Sequence, residues 1–424
     1  MTESVAVLKQ RLWQEIDRRR DELARLCAEG LRIPAENPPG DTRAIAAHYA
    51  ALLERRGLAV ERFESRPGRV SLVSVQPGRT ERPRFVFNGH LDHFPADDHA
   101  LWSFPPYGGE IRDGKILGRG VSDMRGGLTA SLFSFLLIQE QRIPLKGPLT
   151  LMLVADEETG GAWGTGYILE QRPELAGDAC LIGEPESPDG VRLGEKGKAQ
   201  FRLACEGPSR HGGLGTGDDP VIRVAAAIQE ARRIVELEDH PPADLLPVLE
   251  GMQSYWRTEH DRGRQWLYRR PSMTAGLIRG GIKVNVVPRR CEAEIDCRLP
   301  FGITPEDVRA FMEKRLAAAG LTDVTFEFLR PVFTASYTSP DHPLVGLARA
   351  NAAAATGKEP RLTVTFAATD ARYFRPRGVP TLIFGPRPNN MAALDEFITV
   401  DDLVAVTRVH LATALDVLAE PARP

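Results

Sequence analysis

The 424-residue chain carries 54 basic and 57 acidic residues, a formal net charge of −3, with 42% hydrophobic and 26% charged residues. These values fit a globular protein large enough for two domains and exclude disordered and fibrous classes. Because the charges are interleaved rather than blocked, neither a nucleic acid nor a membrane is expected as a partner.

The opening residues lack an apolar core of signal-peptide length, and no later stretch approaches the roughly 20 apolar residues of a membrane span. The five cysteines, Cys27, Cys180, Cys205, Cys291 and Cys297, are scattered, odd in number and never spaced as CxxC. That usage predicts reduced thiols and a cytoplasmic protein. Leu8, Leu12, Ile16, Leu23 and Leu26 recur at helical spacing until the turn residues Asn37-Pro38-Pro39-Gly40. A second helix is expected over 42–56, then short strands over 60–63 and 70–75. The apolar runs 84–88 and 149–154 read as buried strands, with a Leu-, Ala- and Phe-rich helix over 126–141 between them. This alternation predicts an α/β domain with helices on both faces of a mostly parallel sheet.

After Gly194-Glu195-Lys196-Gly197 the rhythm changes. Strands over 200–205, 273–278, 293–298 and 324–329, with helices over 219–238 and 304–319, form a β-α-β-β-α-β order that suits an α+β open-faced sandwich. From Asp341 the α/β rhythm resumes, with a helix ending near Gly357, strands over 361–366 and 379–384, and a C-terminal helix over 400–418. The expected organisation is therefore a larger α/β domain, 1–197 and 331–424, with a smaller domain inserted at 198–330. Residues 240–271, with two Trp and many charges, read as a polar helical insertion.

The chemistry-bearing residues gather where strands of the larger domain end. In Gly89-His90-Leu91-Asp92 the imidazole can bind a metal, and the carboxylate two residues on can hold it in the required tautomer. In the glycine-rich 118–127, Asp123 serves equally as a metal ligand or as a helix N-cap. Asp156-Glu157-Glu158 emerges from a buried strand, and carboxylates so crowded need a cation or a proton. One of them can ligate a metal while its neighbour acts as general base. Glu184, after another apolar run, completes the set.

The ordered motifs GHLD, GRGVSDMRGG, DEETGG and GEPE, followed by an inserted domain, resemble the M20 metallopeptidase family, which includes acetylornithine deacetylases, succinyl-diaminopimelate desuccinylases and glutamate carboxypeptidases. The resemblance implies His90, Asp123, Glu158 and Glu184 as metal ligands, with Asp123 bridging two ions. It implies Glu157 as catalytic base and Asp92 as the residue that orients His90. It also implies a homodimer formed through the inserted domain, in which His211 of one subunit reaches the other's site. Asn285 and Arg298 match polar positions that meet substrate in relatives, although Asn285 serves equally in a turn and Arg298 equally pairs with Asp296.

One departure stands out. Where relatives carry a histidine ligand, in a segment like Ala-His-x-x-Asp-Glu, this chain has Met391-Ala392-Ala393-Leu394-Asp395-Glu396, and no histidine lies between His342 and His410. One divalent ion (Mn, Zn or Co), well held or labile, is therefore expected rather than a tight pair, with His93 and His99 as candidate substitutes. The expected activity is metal-dependent hydrolysis of a C–N bond in a small carboxylate-bearing substrate by an activated water. An N-acyl amino acid deacylase leads, an aminohydrolase resembling 5-nitroanthranilate aminohydrolase is the second reading, and a silent binding protein on the same fold is the third. Arg298, Arg372 and Arg387 are candidates to hold anionic groups, with ordinary ion pairing as the default for each.

Overall fold

The computed structural model describes residues 4–259 and 268–420, without the side chains of 255–259. Two compact units result, one comprising Met1–Leu193, Thr338–Thr363 and Thr369–Pro424, the other Gly194–Tyr337 and Val364–Ala368.

In the larger unit the expected parallel sheet occupies the centre. Strands Leu149–Val154, Phe85–His90, Ala179–Ile182 and Thr381–Ile383 lie side by side and parallel. The flanks are antiparallel, so the whole sheet is mixed: the hairpin Glu61–Arg66 and Arg69–Gln76 pairs onto Leu149–Val154, and Gly190–Glu195 pairs with Thr381–Ile383. A hairpin needs only a tight turn, supplied here by Pro67-Gly68, whereas parallel neighbours need a crossover. All six residues of Phe85–His90 and of Leu149–Val154 are buried, as continuous apolar runs require. The helix Gly126–Glu140 is apolar all round and buried from Gly126 to Ile138, packing on Val400–Leu418.

The first apolar periodicity forms two helices, Val5–Arg18 and Arg20–Leu31, interrupted at Arg19, whose φ of −103° and ψ of 18° leave helical geometry. Side-chain spacing survives such a break, which is why the sequence does not reveal it. A three-stranded sheet of Glu110–Arg112, Lys115–Leu117 and Phe397–Thr399 was also not anticipated. Strands of three residues are too short to show alternation. This small sheet joins the C-terminal segment to the residues preceding Asp123.

In the smaller unit an antiparallel sheet has the order Ser272–Gly280, Arg290–Leu299, Phe201–Glu206, Thr325–Phe328. Strict alternation of burial along Arg290–Leu299 marks one covered face. Helices Pro220–Ala231 and Pro305–Ala318 supply the cover, through Val224, Ala227, Val308 and Met312. A capping box of Thr304 and Asp307 starts the second of them. Part of the 240–271 insertion forms the helix Leu246–Glu259; Trp266 and the side chain of Trp256 lie outside the described residues. Among the described residues no helix is long and apolar enough to cross a membrane, and all five cysteines are free and buried.

His410 is fully buried, bonded to the Phe384 carbonyl at 2.6 Å and to Ser131 Oγ at 3.0 Å. Burial lowers its pKa from 6.5 to about 4. The unfolded chain therefore binds a proton below pH 6.5 that the folded chain refuses until pH falls to about 4. Stability is full above pH 6.5 and falls as pH drops through this window, by at most ~3 kcal/mol from this group. Urea unfolding at pH 7 and pH 4.5 should show a smaller pH-dependent loss for His410→Gln than for the wild type; equal losses would remove His410 as a source.

Candidate metal centre

Three neighbouring parallel strands end together, and each delivers a side chain to one place. His90 is the last residue of its strand, paired with Val154; Glu157 and Glu158 follow Val154 by a short turn, and Glu184 follows Ile182 of the adjoining strand. Asp123 arrives from the loop before helix Gly126–Glu140. This is the carboxyl end of the sheet, where open α/β folds place their sites.

The predicted groups converge. His90 Nε2 lies 3.0 Å from Asp123 Oδ1 and 3.5 Å from Glu184 Oε1. The ligand atoms of His90, Asp123 and Glu158 all lie within 4.8 Å of one another, as do those of His90, Glu157 and Glu184. Asp156, first of the three consecutive acids, turns away from the cluster: it accepts from Thr159 Oγ1 at 2.6 Å and from the Trp163 amide at 3.1 Å, and so closes the turn that presents its neighbours.

Asp92 meets the His90 ring through its backbone rather than its side chain. The ring of His90 is fixed by the backbone carbonyl of Asp92, which accepts from Nδ1 at 2.8 Å, while the carboxylate stands 3.7 Å from that nitrogen. With Nδ1 donating, Nε2 is the nitrogen that faces the carboxylates; it donates to Asp123 when protonated and offers a lone pair to a cation when not. The Asp92 carboxylate instead accepts from the amides of Glu157 (3.3 Å) and Glu158 (3.2 Å) and from Asn37 Nδ2 (2.8 Å). It thereby holds the turn carrying both glutamates.

Further positioning groups emerge only in three dimensions. The buried Arg125, two residues after Asp123, donates to the Leu91 carbonyl within the His90 turn and to the Gly30 carbonyl at 2.9 Å. Arg372 contacts Glu157 Oε1 and stands 3.9 Å from the buried Asp370, which accepts from Thr165 Oγ1 at 2.7 Å. A basic residue inside the GRGVSDMRGG motif was a visible but ambiguous signal for Arg125; nothing in the sequence marked Asp370.

The electrostatics suit a cation. Burial pushes the carboxyls of Glu158 and Glu184 well above the usual range, and the neighbouring Asp123 adds to it; Glu157 is raised by burial to about 8 despite Arg372. Burial alone would lower His90, but the hydrogen bond to Asp123 and the charges of Glu184, Asp123 and Asp92 outweigh it and raise it well above 6.5. Among the described residues Glu158 Oε1, itself buried, has no hydrogen-bond partner. An orphaned acceptor beside an imidazole and two further carboxylates is a donor set that a divalent metal satisfies.

Ala392 is in a turn with φ +59°, and neither converging group contains His93 or His99. His93 uses both nitrogens elsewhere, Nε2 accepting from the Ala35 amide at 2.9 Å and Nδ1 donating to the Phe94 carbonyl at 2.8 Å; the His99 ring meets Tyr107 edge-on. The three candidate anion-binding arginines are all in ion pairs, Arg298 with Asp296 at 3.0 Å, Arg387 with Asp189 and Arg372 with Glu157. In the smaller unit His211 and Asn285 are exposed, and the two segments are tied by the Gly212 amide on the Asn285 carbonyl at 2.8 Å.

Close backbone contact fixes Glu184. A Cβ on Gly127 would lie 1.7 Å from the Gly183 oxygen, and one on Gly385 2.1 Å from the Glu184 oxygen. Gly127→Ala should therefore displace the Glu184 turn, cost about 1–3 kcal/mol in denaturant unfolding and lower the metal retained after gel filtration. Unchanged stability and metal content would contradict this packing.

A model of peptidase family M20/M25/M40 matches residues 86–416. A succinyl-diaminopimelate desuccinylase of Rhodospirillum centenum is 28% identical over 397 residues, 91% of this chain and 94% of the relative. Two solved structures share the fold. The M20 family metallo-carboxypeptidase Sso-CP2 from Sulfolobus solfataricus has a TM-score of 0.77 at 19% identity, covering 93% of this chain and 98% of its own. Human carnosine dipeptidase 1 has a TM-score of 0.74 at 17% identity, covering 97% and 98%.

Proposed function

The chain belongs to the peptidase family M20/M25/M40, whose members are metal-dependent hydrolases of C–N bonds, and on that premise we propose that it removes the acyl group from a small N-acyl amino acid. One observation carries the reading: His90 has its ligand atom within 4.8 Å of those of Asp123 and Glu158 in one group of three and of those of Glu157 and Glu184 in another, although these residues come from separate stretches of chain. The desuccinylase relatives, whose name denotes removal of a succinyl group, support the substrate class.

His90, Asp123, Glu158 and Glu184 are proposed to hold the metal. A divalent ion held there would supply Lewis acidity toward the scissile carbonyl and the attacking water. Glu157 would take a proton from the attacking water and return it to the leaving nitrogen, while Arg372 beside it balances its charge. Asp92 keeps Glu157 and Glu158 in register by accepting both of their amides.

We propose a single ion (Mn, Zn or Co), well held or labile, rather than a tight pair, because Ala392 offers no ligand and His93 spends both nitrogens on backbone groups. His211, Asn285 and Arg298 are proposed to meet substrate. The inserted unit is proposed to form a homodimer, a role that suits its edge strand Ser272–Gly280, where Leu277 and Ile278 are exposed. The buried free thiols fit a cytoplasmic setting.

Metal analysis after gel filtration should find no more than one ion per chain; two firmly retained ions would reject the single-ion reading. Glu157→Gln should keep that metal content and lower kcat by about 10²–10⁴-fold, and comparable activity would remove Glu157 from the scheme. Assay of N-succinyl and N-acetyl amino acids beside aminobenzoates, with Mn²⁺, Zn²⁺ or Co²⁺ added, should give free amino acid from the acyl substrates. Ammonia from the aminobenzoates alone would replace the deacylase reading with the aminohydrolase one, and no turnover with any metal would favour a binding protein.

A further inference from the structure

We propose that Glu396 is a positioning residue for Asp123: its buried carboxylate is the template on which the loop carrying that ligand is folded. The inference rests on the metal-site reading above and assigns a task to the C-terminal segment, in which Ala392 stands where the resemblance implies a histidine.

The loop needs such a template. Gly120 is left-handed (φ 79°, ψ 5°), and Asp123 (φ −125°, ψ 95°) and Met124 (φ −129°, ψ 31°) depart from helical geometry. Neither a regular helix nor a strand ladder therefore supplies acceptors for the amides just before Asp123. Glu396 supplies them. One carboxylate oxygen accepts from the Ser122 amide at 2.8 Å, and the other from the Gly120 amide at 3.2 Å and from Arg119 Nη1 at 2.6 Å.

Main-chain bonds extend the seam. The Gly118 amide donates to the Glu396 carbonyl at 3.0 Å, and Ser122 Oγ to the Phe397 carbonyl at 3.3 Å. Phe397 then pairs with Leu117 in the small sheet, which fixes where Glu396 stands. Glu396 and Arg119 are almost wholly buried, at 1% and 3% exposure, and the Arg119 guanidinium lies 4.9 Å from the centre of the Trp102 ring. Both oxygens of Glu396 are thus occupied by the loop, and Glu396 belongs to neither converging ligand group. Its influence on the metal runs through the backbone that aims Asp123.

Outer partners of metal ligands act on affinity. Calorimetric titration of metal-stripped full-length protein with Mn²⁺ should therefore show Glu396→Gln raising Kd about 10–100-fold, with a smaller rise for Arg119→Met, which removes one of the three bonds. Asn351→Ala serves as the control, since Asn351 is buried and bonded to Asp416 and Thr413 rather than to the loop. It should lower the unfolding midpoint without changing Kd. In parallel, hydrogen exchange of the peptide spanning 117–124 in stripped protein should accelerate in Glu396→Gln and Arg119→Met and not in Asn351→Ala.

Wild-type Kd in Glu396→Gln, or an equal rise in Asn351→Ala, would overturn the proposal, as would unchanged exchange at 117–124. Wild-type protein that takes up none of Mn²⁺, Zn²⁺ or Co²⁺ would overturn the metal reading on which this proposal rests, and the exchange of 117–124 in stripped protein tells that failure apart from a failure of the Glu396 template.

Discussion

The molecule is organised around an electrostatic conflict: the buried carboxyls of Glu157 and Glu184 and the half-buried ones of Glu158 and Asp123 crowd about a single buried imidazole. Buried like charges at such distances are tolerable only with protons or a cation among them. Gathering them requires rigid supports, and the central parallel strands provide these by ending in register. Each carboxylate then needs its own turn held against the repulsion.

The holding devices are themselves polar and buried. The Asp92 carboxylate accepts the amides of Glu157 and Glu158, its carbonyl fixes the His90 ring, and Arg125 grips the carbonyl between those two residues. Gly127 and Gly183 let backbones approach closely enough to seat Glu184. Glu396 and Arg119 hold the remaining loop from the C-terminal side. The Arg372 guanidinium stands beside Glu157 and offsets part of the cluster's charge. The cluster, rather than any single ligand, explains why so many buried charges are paired in this part of the chain.

Much of this was readable from residues alone. Continuous apolar runs such as 149–154 betrayed the central strands, and acids placed directly after them pointed to the site, since a buried strand cannot discharge three carboxylates into its own core. Period and spacing could not reveal the helix break at Arg19, because the apolar face continues across it. Asp92 was singled out, but a carboxylate and a carbonyl of one residue cannot be told apart in a sequence. Arg372 and Asp370 are distant in the chain from Glu157, and Glu396 stands 273 positions beyond Asp123. Only the small sheet through Phe397, too short to register as a pattern, brings that last pair of segments together.

The most direct test of the shared cation is anomalous diffraction from crystals grown with Mn²⁺, collected on both sides of the metal's absorption edge. The account predicts a strong peak bounded by His90 Nε2 and the carboxylates of Asp123, Glu158 and Glu184. An empty difference map there, or a peak only at some other place on the molecule, would contradict it.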